Sequence, residues 1–362
     1  MSDQGLRVRD LHVKFGKTEL LRGIDLDVAP GETLVLFGPS GVGKTVLLRA
    51  IAGLEPAARC DVAIDGRDVT TMGPEGRGIG MAFQNFALYP HMPARKNISS
   101  PLEAQQKSAA EIDSRVDAVA TLLKITHVLG HAPRELSNGQ KQRTALARAL
   151  VGNPRVLLLD DPLRNVDAKL RYEMRLELPR LLRRAGAATI YVSQDYREAM
   201  ALGDRVAILL DGRFAMLAPP EQVYDRPESV QVARLFGDPP INLLPCAATA
   251  TGVTAAGMAV DLPGHPGREC LLGIRPEALR VLTGAEPGAA QAEVVALTPL
   301  HERLVVLLRA ADGTEIVASV VGGAPAAGSA VWIAADPAAA LLFDAATGDL
   351  VHGRADVLEM AA

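Results

Sequence analysis

The segment Gly38–Thr45 constrains the fold more than any other part of this sequence. It reads Gly-Pro-Ser-Gly-Val-Gly-Lys-Thr and fits the pattern G-x-x-x-x-G-K-[ST] at every required position. The apolar run Thr33–Phe37 precedes it and is typical of a buried strand, and an amphipathic helix is expected from Lys44 to about Ala52. Glycines let such a loop curl so that its backbone N–H groups face phosphate oxygens. The segment therefore predicts a phosphate site between a strand and a helix.

The chemistry of this loop predicts ATP and Mg²⁺ as its ligands. Lys44 supplies a positive charge for the β- and γ-phosphates, and the Thr45 hydroxyl can ligate Mg²⁺. A second magnesium ligand is expected at Asp160, which follows the apolar run Val156–Leu159, because open α/β sheets bind ligands where their strands end. The loop residues expected to contact the nucleotide are Gly38, Pro39, Ser40, Gly41, Val42, Gly43, Lys44 and Thr45.

Length and composition limit the possible functions. The 362 residues are too many for one typical core, so two or three domains are expected. The formal net charge of -4 gives no global basic field for binding nucleic acid. Cys60, Cys246 and Cys270 lie far apart in the sequence without metal-ligand spacing, which suits a reducing compartment. The polar first ten residues predict no signal peptide, and no apolar run approaches the roughly 20 residues of a membrane-spanning helix.

Strands and helices alternate along the first two thirds of the chain. Two apolar strands with a helix between them, from about Ala168 to Arg184, form the βαβ pattern of a parallel sheet. The sequence therefore predicts an α/β fold. The expected strands are Leu6–Phe15, Leu20–Val28, Thr33–Phe37, Arg155–Leu159 and Thr189–Ser193.

Composition divides the chain into two expected domains. Residues from about 99 to 129 are rich in helix signals, within a helical subdomain expected at about 86–150. After Gly237 the composition shifts to Ala, Gly, Val and Pro, with short apolar runs cut by turn signals. We expect a nucleotide-binding domain over 1–237 and a β-rich domain over 238–362.

Further motifs resemble the ABC transporter ATP-binding family. Leu136–Gln140 reads LSNGQ and resembles the LSGGQ signature of that family, in the family's place between the phosphate loop and Asp160. Gln84 resembles the Q-loop glutamine, Pro162–Asp167 resembles the D-loop, and Tyr191–Asp195 is similar to the switch segment. These motifs also follow one another in the family's order. The resemblance implies the P-loop NTPase fold of an ABC cassette.

The resemblance also implies functional roles for residues outside the phosphate loop. Phe15 would stack on adenine, and Gln84 would act both in catalysis and as a magnesium ligand beside Thr45 and Asp160. Two ATPase subunits would face each other head to tail, with each ATP between one subunit's loop and the other's signature. The further nucleotide contacts implied in this way are Ser137, Asn138, Gly139, Gln140 and Asp167.

Three segments are similar to the carbohydrate-importer branch, of the maltose-importer ATPase type. These are Phe86–His91, Asp167–Arg171 and Gly273–Glu277, the last of which resembles the OB-like, TOBE-type regulatory domain of that branch. The branch implies a second ATPase subunit, an integral membrane permease and, indirectly, an external solute-binding protein as partners. It implies a peripheral position at the cytoplasmic face of the cell membrane. The transported solute would be a sugar, a polyol such as glycerol, or glycerol phosphate.

Four positions depart from the family pattern. The catalytic glutamate is replaced by Asp161, whose side chain is shorter by one methylene, or about 1.5 Å. The switch histidine is replaced by Gln194, which can donate a hydrogen bond but has no titrating proton. Arg164 replaces the D-loop serine, and Asn138 replaces a signature glycine. With Asp161, Gln194 and Gln84 as the expected catalytic residues, we expect ATP binding with weakened hydrolysis in a heterodimer.

Alternatives remain open from the sequence. The four replacements are also compatible with neutral variation in a homodimer. A second function class is a regulatory subunit that closes on ATP but barely hydrolyses it. A third is a soluble ABC ATPase of translation or DNA repair, although those proteins usually carry two cassettes or a long coiled-coil insertion, and this chain has neither.

Overall fold

The computed structural model describes residues 4–56, 58–248, 252–262, 269–300 and 303–352. The chain divides into two compact units, Met1–Pro220 and Glu221–Ala362. Each unit has its own sheets and its own apolar core.

The described strands of the first unit form two sheets. The antiparallel sheet has the order β2-β1-β4-β5. The second sheet has the order β10-β9-β3-β8-β7-β6, and all its neighbours pair in parallel except β9 and β10. The strands are β1 Leu6–Phe15, β2 Thr18–Val28, β3 Thr33–Phe37, β4 Ala58–Ile64, β5 Arg67–Asp68, β6 Ile79–Ala82, β7 Val156–Asp160, β8 Ala188–Ser193, β9 Arg205–Leu210 and β10 Arg213–Ala218.

Helices connect the strands of the first unit. Several of them have an N-cap side chain that accepts a backbone hydrogen bond: Ser108 caps α3, Ser137 caps α4 and Asp167 caps α5. Across the residues that the structure describes, every helix is too short or too polar to cross a lipid bilayer. The helices are α1 Lys44–Ile51, α2 Ala94–Ala104, α3 Ala109–Leu122, α4 Asn138–Leu150, α5 Ala168–Ala185 and α6 Tyr196–Leu202.

The parallel strands are buried along their whole length. Every residue of β3, β7 and β8 is buried, which agrees with their uninterrupted apolar sequences. Strands β1 and β2 instead alternate between buried and exposed positions. One apolar cluster joins both sheets to α1, since Leu11, Leu36 and Leu47 all belong to it.

Over the residues that the structure describes, the second unit contains two short α-helices and two antiparallel sheets. The sheets have the orders β13-β12-β11-β14-β20-β21 and β15-β19-β16-β17-β18. The elements are α7 Pro220–Asp225, α8 Val230–Leu235, β11 Asn242–Ala248, β12 Val253–Ala255, β13 Met258–Val260, β14 Glu269–Ile274, β15 Leu279–Leu282, β16 Ala290–Leu300, β17 Arg303–Ala310, β18 Glu315–Val321, β19 Ala330–Ala335, β20 Leu341–Asp344 and β21 Leu350–His352.

The segment from Glu221 to Gly237 belongs to the second unit, although the composition change comes only after it. Ala233 of α8 packs in one apolar cluster with Ile241, Leu341 and Phe343. The buried Arg275 of the Gly273–Glu277 segment donates hydrogen bonds to the backbone carbonyls of Ala233 and Phe236. The compact unit therefore begins well before the expected boundary, because apolar packing and Arg275 tie α8 to the strands that follow.

Two cysteines that are distant in the sequence are neighbours in this unit. Cys246 of β11 lies directly opposite Cys270 of β14 in the antiparallel register. Burial, and secondarily Cys270, raises the pKa of Cys246 to about 11. This thiol is therefore protonated at neutral pH and a weak nucleophile.

We predict that Phe236→Ala lowers the free energy of unfolding of the second unit by about 3–4 kcal/mol, because a fully buried ring is removed. Trp332, the single tryptophan of the chain, lies in β19 and reports on this unit by fluorescence during urea unfolding of the full chain. The matched control Val321→Ala, at a side chain that is 82% exposed, should change that free energy by less than about 0.5 kcal/mol. Equal effects of the two variants would contradict the burial of the Phe236 ring.

Candidate nucleotide-binding site

Four neighbouring parallel strands end in one row. Phe37 at the end of β3 lies opposite Ser193 at the end of β8, and Asp160 at the end of β7 lies opposite Val192. Ala82, the last residue of β6, lies opposite Leu159. The segments that follow these strands therefore meet at one edge of the sheet, where α/β folds bind their ligands.

The loop after β3 requires glycine at both of its ends. Gly38 has φ 155°, and a Cβ atom there would lie 2.5 Å from the carbonyl oxygen of Leu209. Gly43 has φ 111°, in the left-handed region, where a Cβ atom would lie 3.0 Å from Leu21. Only glycine adopts these conformations at little cost. The loop thus curls tightly before α1 begins at Lys44.

Lys44 is buried inside this loop, with an exposed fraction of only 6%. Its Nζ donates hydrogen bonds of 2.7 Å to the backbone carbonyls of Gly38 and Pro39. Burial lowers the pKa of the ammonium group, while the charges of Asp161 and Asp160 oppose that shift. The loop therefore holds a cation at its centre, where the phosphates of a nucleotide are expected.

The oxygen ligands expected for Mg²⁺ are adjacent in the structure. The Thr45 Oγ1 donates to Asp160, with distances of 2.9 and 3.0 Å to the two carboxylate oxygens. Burial raises the pKa of Asp160, and the hydrogen bond from Thr45 opposes that shift. Gln84 lines the same cavity. This set of hard oxygen donors fits Mg²⁺, which prefers carboxylate and other oxygen ligands.

Asp161 adopts a left-handed backbone conformation with φ 45°, directly after the last residue of β7. It is 7% exposed, and its Oδ2 lies 3.7 Å from Nη1 of Arg164. Burial raises the pKa of this carboxyl group, with Arg164 opposing the shift. The carboxylate therefore carries a nearby counter-charge from its own D-loop.

The switch segment fixes the backbone on both sides of Gln194. Before it, the Ser193 Oγ donates to Glu198 over 2.8 Å, and the buried Tyr191 hydroxyl donates to the same carboxylate over 3.0 Å. After it, Asp195 accepts a hydrogen bond of 2.8 Å from Arg175 of α5. Gln194 itself is exposed and lines the cavity.

Nine of the eighteen predicted site residues line one open cavity of about 200 Å³, and the loop residues Gly38, Pro39 and Val42 are not among them. Phe15 lies outside it, at the end of β1, with 48% of its surface exposed. The signature residues and Asp167 also lie outside it. The predicted residues that line the cavity are Ser40, Gly41, Gly43, Lys44, Thr45, Gln84, Asp160, Asp161 and Gln194.

The signature segment forms the N-terminus of α4. The Ser137 side chain caps this helix, accepting from the Gln140 N–H, and the Gln140 side chain accepts from the Ser137 N–H in return. Ser137 and Asn138 are exposed, whereas Gly139 is buried against the N-terminus of α5. A Cβ atom at Gly139 would lie 2.1 Å from Leu170. This glycine therefore brings the signature close to the helix that follows the D-loop.

Comparison with known proteins identifies the family. A family model described as "ABC transporter" matches residues 21–164, and one described as "TOBE domain" matches residues 272–343. The sn-glycerol-3-phosphate import ATP-binding protein UgpC of Cereibacter sphaeroides is 42% identical, over 95% of this chain and 98% of its own length. The chain belongs to the ABC transporter ATP-binding family. The prediction of an ABC cassette followed by a TOBE-type domain is confirmed.

Other relatives agree with this assignment. The alpha-glucoside transport ATP-binding protein AglK of Rhizobium meliloti is 39% identical, over 94% of this chain and 97% of its own length. Among solved structures, one titled as a dimeric post-hydrolysis state of the ATP-binding cassette MJ0796 bound to ADP and Pi has a TM-score of 0.53 and 27% identity. It covers 59% of this chain and 98% of that protein.

Some residues that connect the ABC motifs were not predicted from the sequence. Arg148 of α4 donates to the carbonyls of Phe86 and Ala87, both in left-handed conformations, over 3.0 and 2.7 Å. Asn165 of the D-loop donates a hydrogen bond of 3.0 Å to the carbonyl of Gln84. Sequence pattern does not predict these contacts with the Q-loop region, because they join residues that are 62, 61 and 81 positions apart in the chain.

We predict that Lys44→Ala weakens Mg-ATP binding at least about tenfold, because a charge-assisted contact to phosphate is lost. Asp160→Asn should weaken binding mainly in the presence of Mg²⁺, because it removes a carboxylate beside Thr45. Titration of a fluorescent ATP analogue, with and without Mg²⁺, measures both effects. Lys124→Ala, at a side chain 67% exposed on the helical part of the chain, is the control and should bind like the unmodified protein. Unchanged affinity in Lys44→Ala would contradict the site.

Proposed function

We propose that this chain is the ATP-binding subunit of an ABC importer, and that it works as one of two ATPase subunits attached to a membrane permease. The observation that carries the proposal is the row of four strand ends, which gathers Lys44, Thr45, Asp160 and Gln84 around one cavity. The printed names of the relatives support import, since they describe import or transport ATP-binding proteins over nearly the whole chain. The dimeric solved neighbour supports a pair of ATPase subunits.

For the transported solute we infer a chemical class and not a single compound. The named relatives act on sn-glycerol 3-phosphate and on alpha-glucosides. We infer a sugar, a polyol or glycerol phosphate for this chain, recognised by the permease and by an external binding protein. The protein would bind peripherally at the cytoplasmic face of the membrane, where ATP is available.

The geometry assigns steps of nucleotide binding to this chain's own residues. Lys44 would turn its ammonium group from the carbonyls of Gly38 and Pro39 to the phosphates. Thr45, Asp160 and Gln84 would hold Mg²⁺, which when bound neutralises charge on the phosphates. Asp161 would accept the proton of the attacking water, and Gln194 would donate a hydrogen bond toward the γ-phosphate.

The same geometry favours slow hydrolysis at this site. Asp161 follows the rigid, fully buried strand β7, so the backbone has little freedom to bring the shorter carboxylate forward. Gln194 is held between the anchored residues Ser193 and Asp195 and carries no charge. We therefore propose a heterodimer in which the signature of this chain serves the ATP of a competent partner. A regulatory subunit that closes on ATP and barely hydrolyses it is the second candidate, favoured by the same two residues.

We predict that Asp161→Glu combined with Gln194→His raises turnover of the purified chain at saturating Mg-ATP. General-base placement is worth about 10²–10⁴-fold, so partial restoration should give at least about a tenfold gain. Asp211→Glu, a like change in the turn between β9 and β10, serves as the control and should leave turnover unaltered. If the unmodified chain already turns over as fast as the restored variant, a homodimer becomes the better interpretation.

A second prediction separates the heterodimer from the homodimer in the assembled importer. Ser137→Arg should abolish most ATP turnover, because the bulky cation blocks the exposed end of α4 that would serve the partner's nucleotide. Asp161→Asn should reduce turnover less than about twofold, because this chain's own site would contribute little. Both are measured as phosphate release by the assembled transporter in vesicles. In a homodimer the two variants would be equally damaging, and that result would contradict the proposal.

A further inference from the structure

The guanidinium of Arg164 lines the same cavity as Lys44, Thr45 and Gln194. Its only ion pair in the described structure is with Asp161, at 3.7 Å from Nη1 to Oδ2. That separation is longer than a hydrogen bond, and the Arg164 side chain is 48% exposed. The contact is therefore weak, and the guanidinium can be drawn away from Asp161 at little cost.

The backbone that carries Arg164 is fixed on both sides. Arg171 of α5 donates to the carbonyls of Leu163, Arg164 and Val166, each over 3.3 Å. Asn165 is tied to the Gln84 carbonyl over 3.0 Å. A long cationic side chain thus extends from a well-anchored D-loop into the cavity that Lys44 and Thr45 also line.

The charges in the cavity leave this cation without a strong partner. The cavity is lined by two cationic side chains, Lys44 and Arg164, and by two carboxylates, Asp160 and Asp161. Lys44 is already held by two loop carbonyls, and Asp160 is bonded to Thr45. A terminal phosphate offers a guanidinium two parallel charge-assisted hydrogen bonds, which the 3.7 Å contact with Asp161 does not provide.

We propose that Arg164 senses the terminal phosphate: its guanidinium exchanges Asp161 for the γ-phosphate of bound ATP, so that this chain distinguishes ATP from ADP through its own D-loop. The inference rests on the proposed ATP site and adds a residue that discriminates between nucleotides. The exchange also removes the Arg164 charge from beside the Asp161 carboxylate only when a triphosphate is present. A serine at this position is too short to make either contact.

The experiment measures binding of Mg²⁺ with a non-hydrolysable ATP analogue, and separately with ADP, to the full chain by calorimetry. Arg164→Ser should weaken binding of the analogue about tenfold, while ADP affinity stays within about twofold. The affinity of Arg164→Lys for the ATP analogue should lie between those of the unmodified chain and of Arg164→Ser, because lysine keeps the charge but loses the forked geometry. Arg180→Ser, an exposed arginine on α5, is the matched control and should change neither affinity.

Asp161→Asn tests the exchange itself. It should strengthen binding of the ATP analogue in the chain with Arg164, and strengthen it less in the Arg164→Ser background, because the released guanidinium is then absent. Additive effects of the two changes would overturn the exchange. Equal loss of ATP analogue and ADP in Arg164→Ser, or no loss of either, would overturn the role of Arg164 as a sensor.

Two further controls separate this inference from the proposed function. If the unmodified chain binds neither nucleotide, and Lys44→Ala makes no difference, the ATP site itself is wrong. All titrations are run at a concentration where sedimentation shows a monomer. An ATP-selective effect that appears only in a dimer would place Arg164 at the partner's nucleotide and overturn its assignment to this chain's own site.

Discussion

The register of the parallel sheet is the constraint on which the candidate site depends. Strands β3, β8, β7 and β6 are neighbours, and their last residues lie side by side. A shift of one residue would turn each side chain of β3, β7 and β8 to the opposite face of the sheet. Both faces are buried, so every side chain would have to repack in a close-packed core, and that packing resists the shift. The phosphate loop, Gln194, Asp161 and Gln84 thus obtain their positions from the packing beneath them. The geometry of the candidate site is therefore a consequence of strand burial.

A second set of contacts joins motifs that lie far apart in the sequence. Asn165 ties the D-loop to the Q-loop, Arg148 ties the signature helix to the segment just after the Q-loop, and Gly139 lets that helix pack closely on Leu170. Each contact is short in space. Together they connect the Q-loop segment to α4, α4 to α5, and the D-loop back to the Q-loop. A displacement of the Q-loop segment would therefore be transmitted to both the signature and Arg164. That path gives the Q-loop segment a physical connection to the candidate nucleotide site.

The sequence predicted what local pattern determines, and it did not predict what depends on long-range pairing. The uniform apolar run before Gly38 and the glycine positions sufficed for β3 and the phosphate loop. The pairing of Cys246 with Cys270 depends on the register of two strands separated by a turn-rich segment, which composition does not encode. The start of the second unit was also not predicted, because the helix containing Ala233 is bound by Arg275, 42 positions later. For the site, the residue types were evident from motifs, whereas the contact between Arg164 and Asp161 required the turn geometry.

Burial gives a physical basis for the proposal that this site binds nucleotide well and hydrolyses it slowly. Desolvation raises the pKa of Asp160 and of Asp161 and lowers that of Lys44, so burial disfavours the charged form of each group. Phosphates and Mg²⁺ supply the missing counter-charges for Lys44 and Asp160, and that compensation favours binding. Binding through charge compensation does not require the Asp161 carboxylate to lie at one particular distance, because Coulomb attraction changes gradually with distance. Proton transfer, in contrast, requires the carboxylate within hydrogen-bond distance of the water, and a side chain shortened by about 1.5 Å fails that requirement first. Under the proposed function, loss of one methylene at Asp161 would therefore separate binding from hydrolysis, which is the property that a non-equivalent pair of ATPase subunits would use.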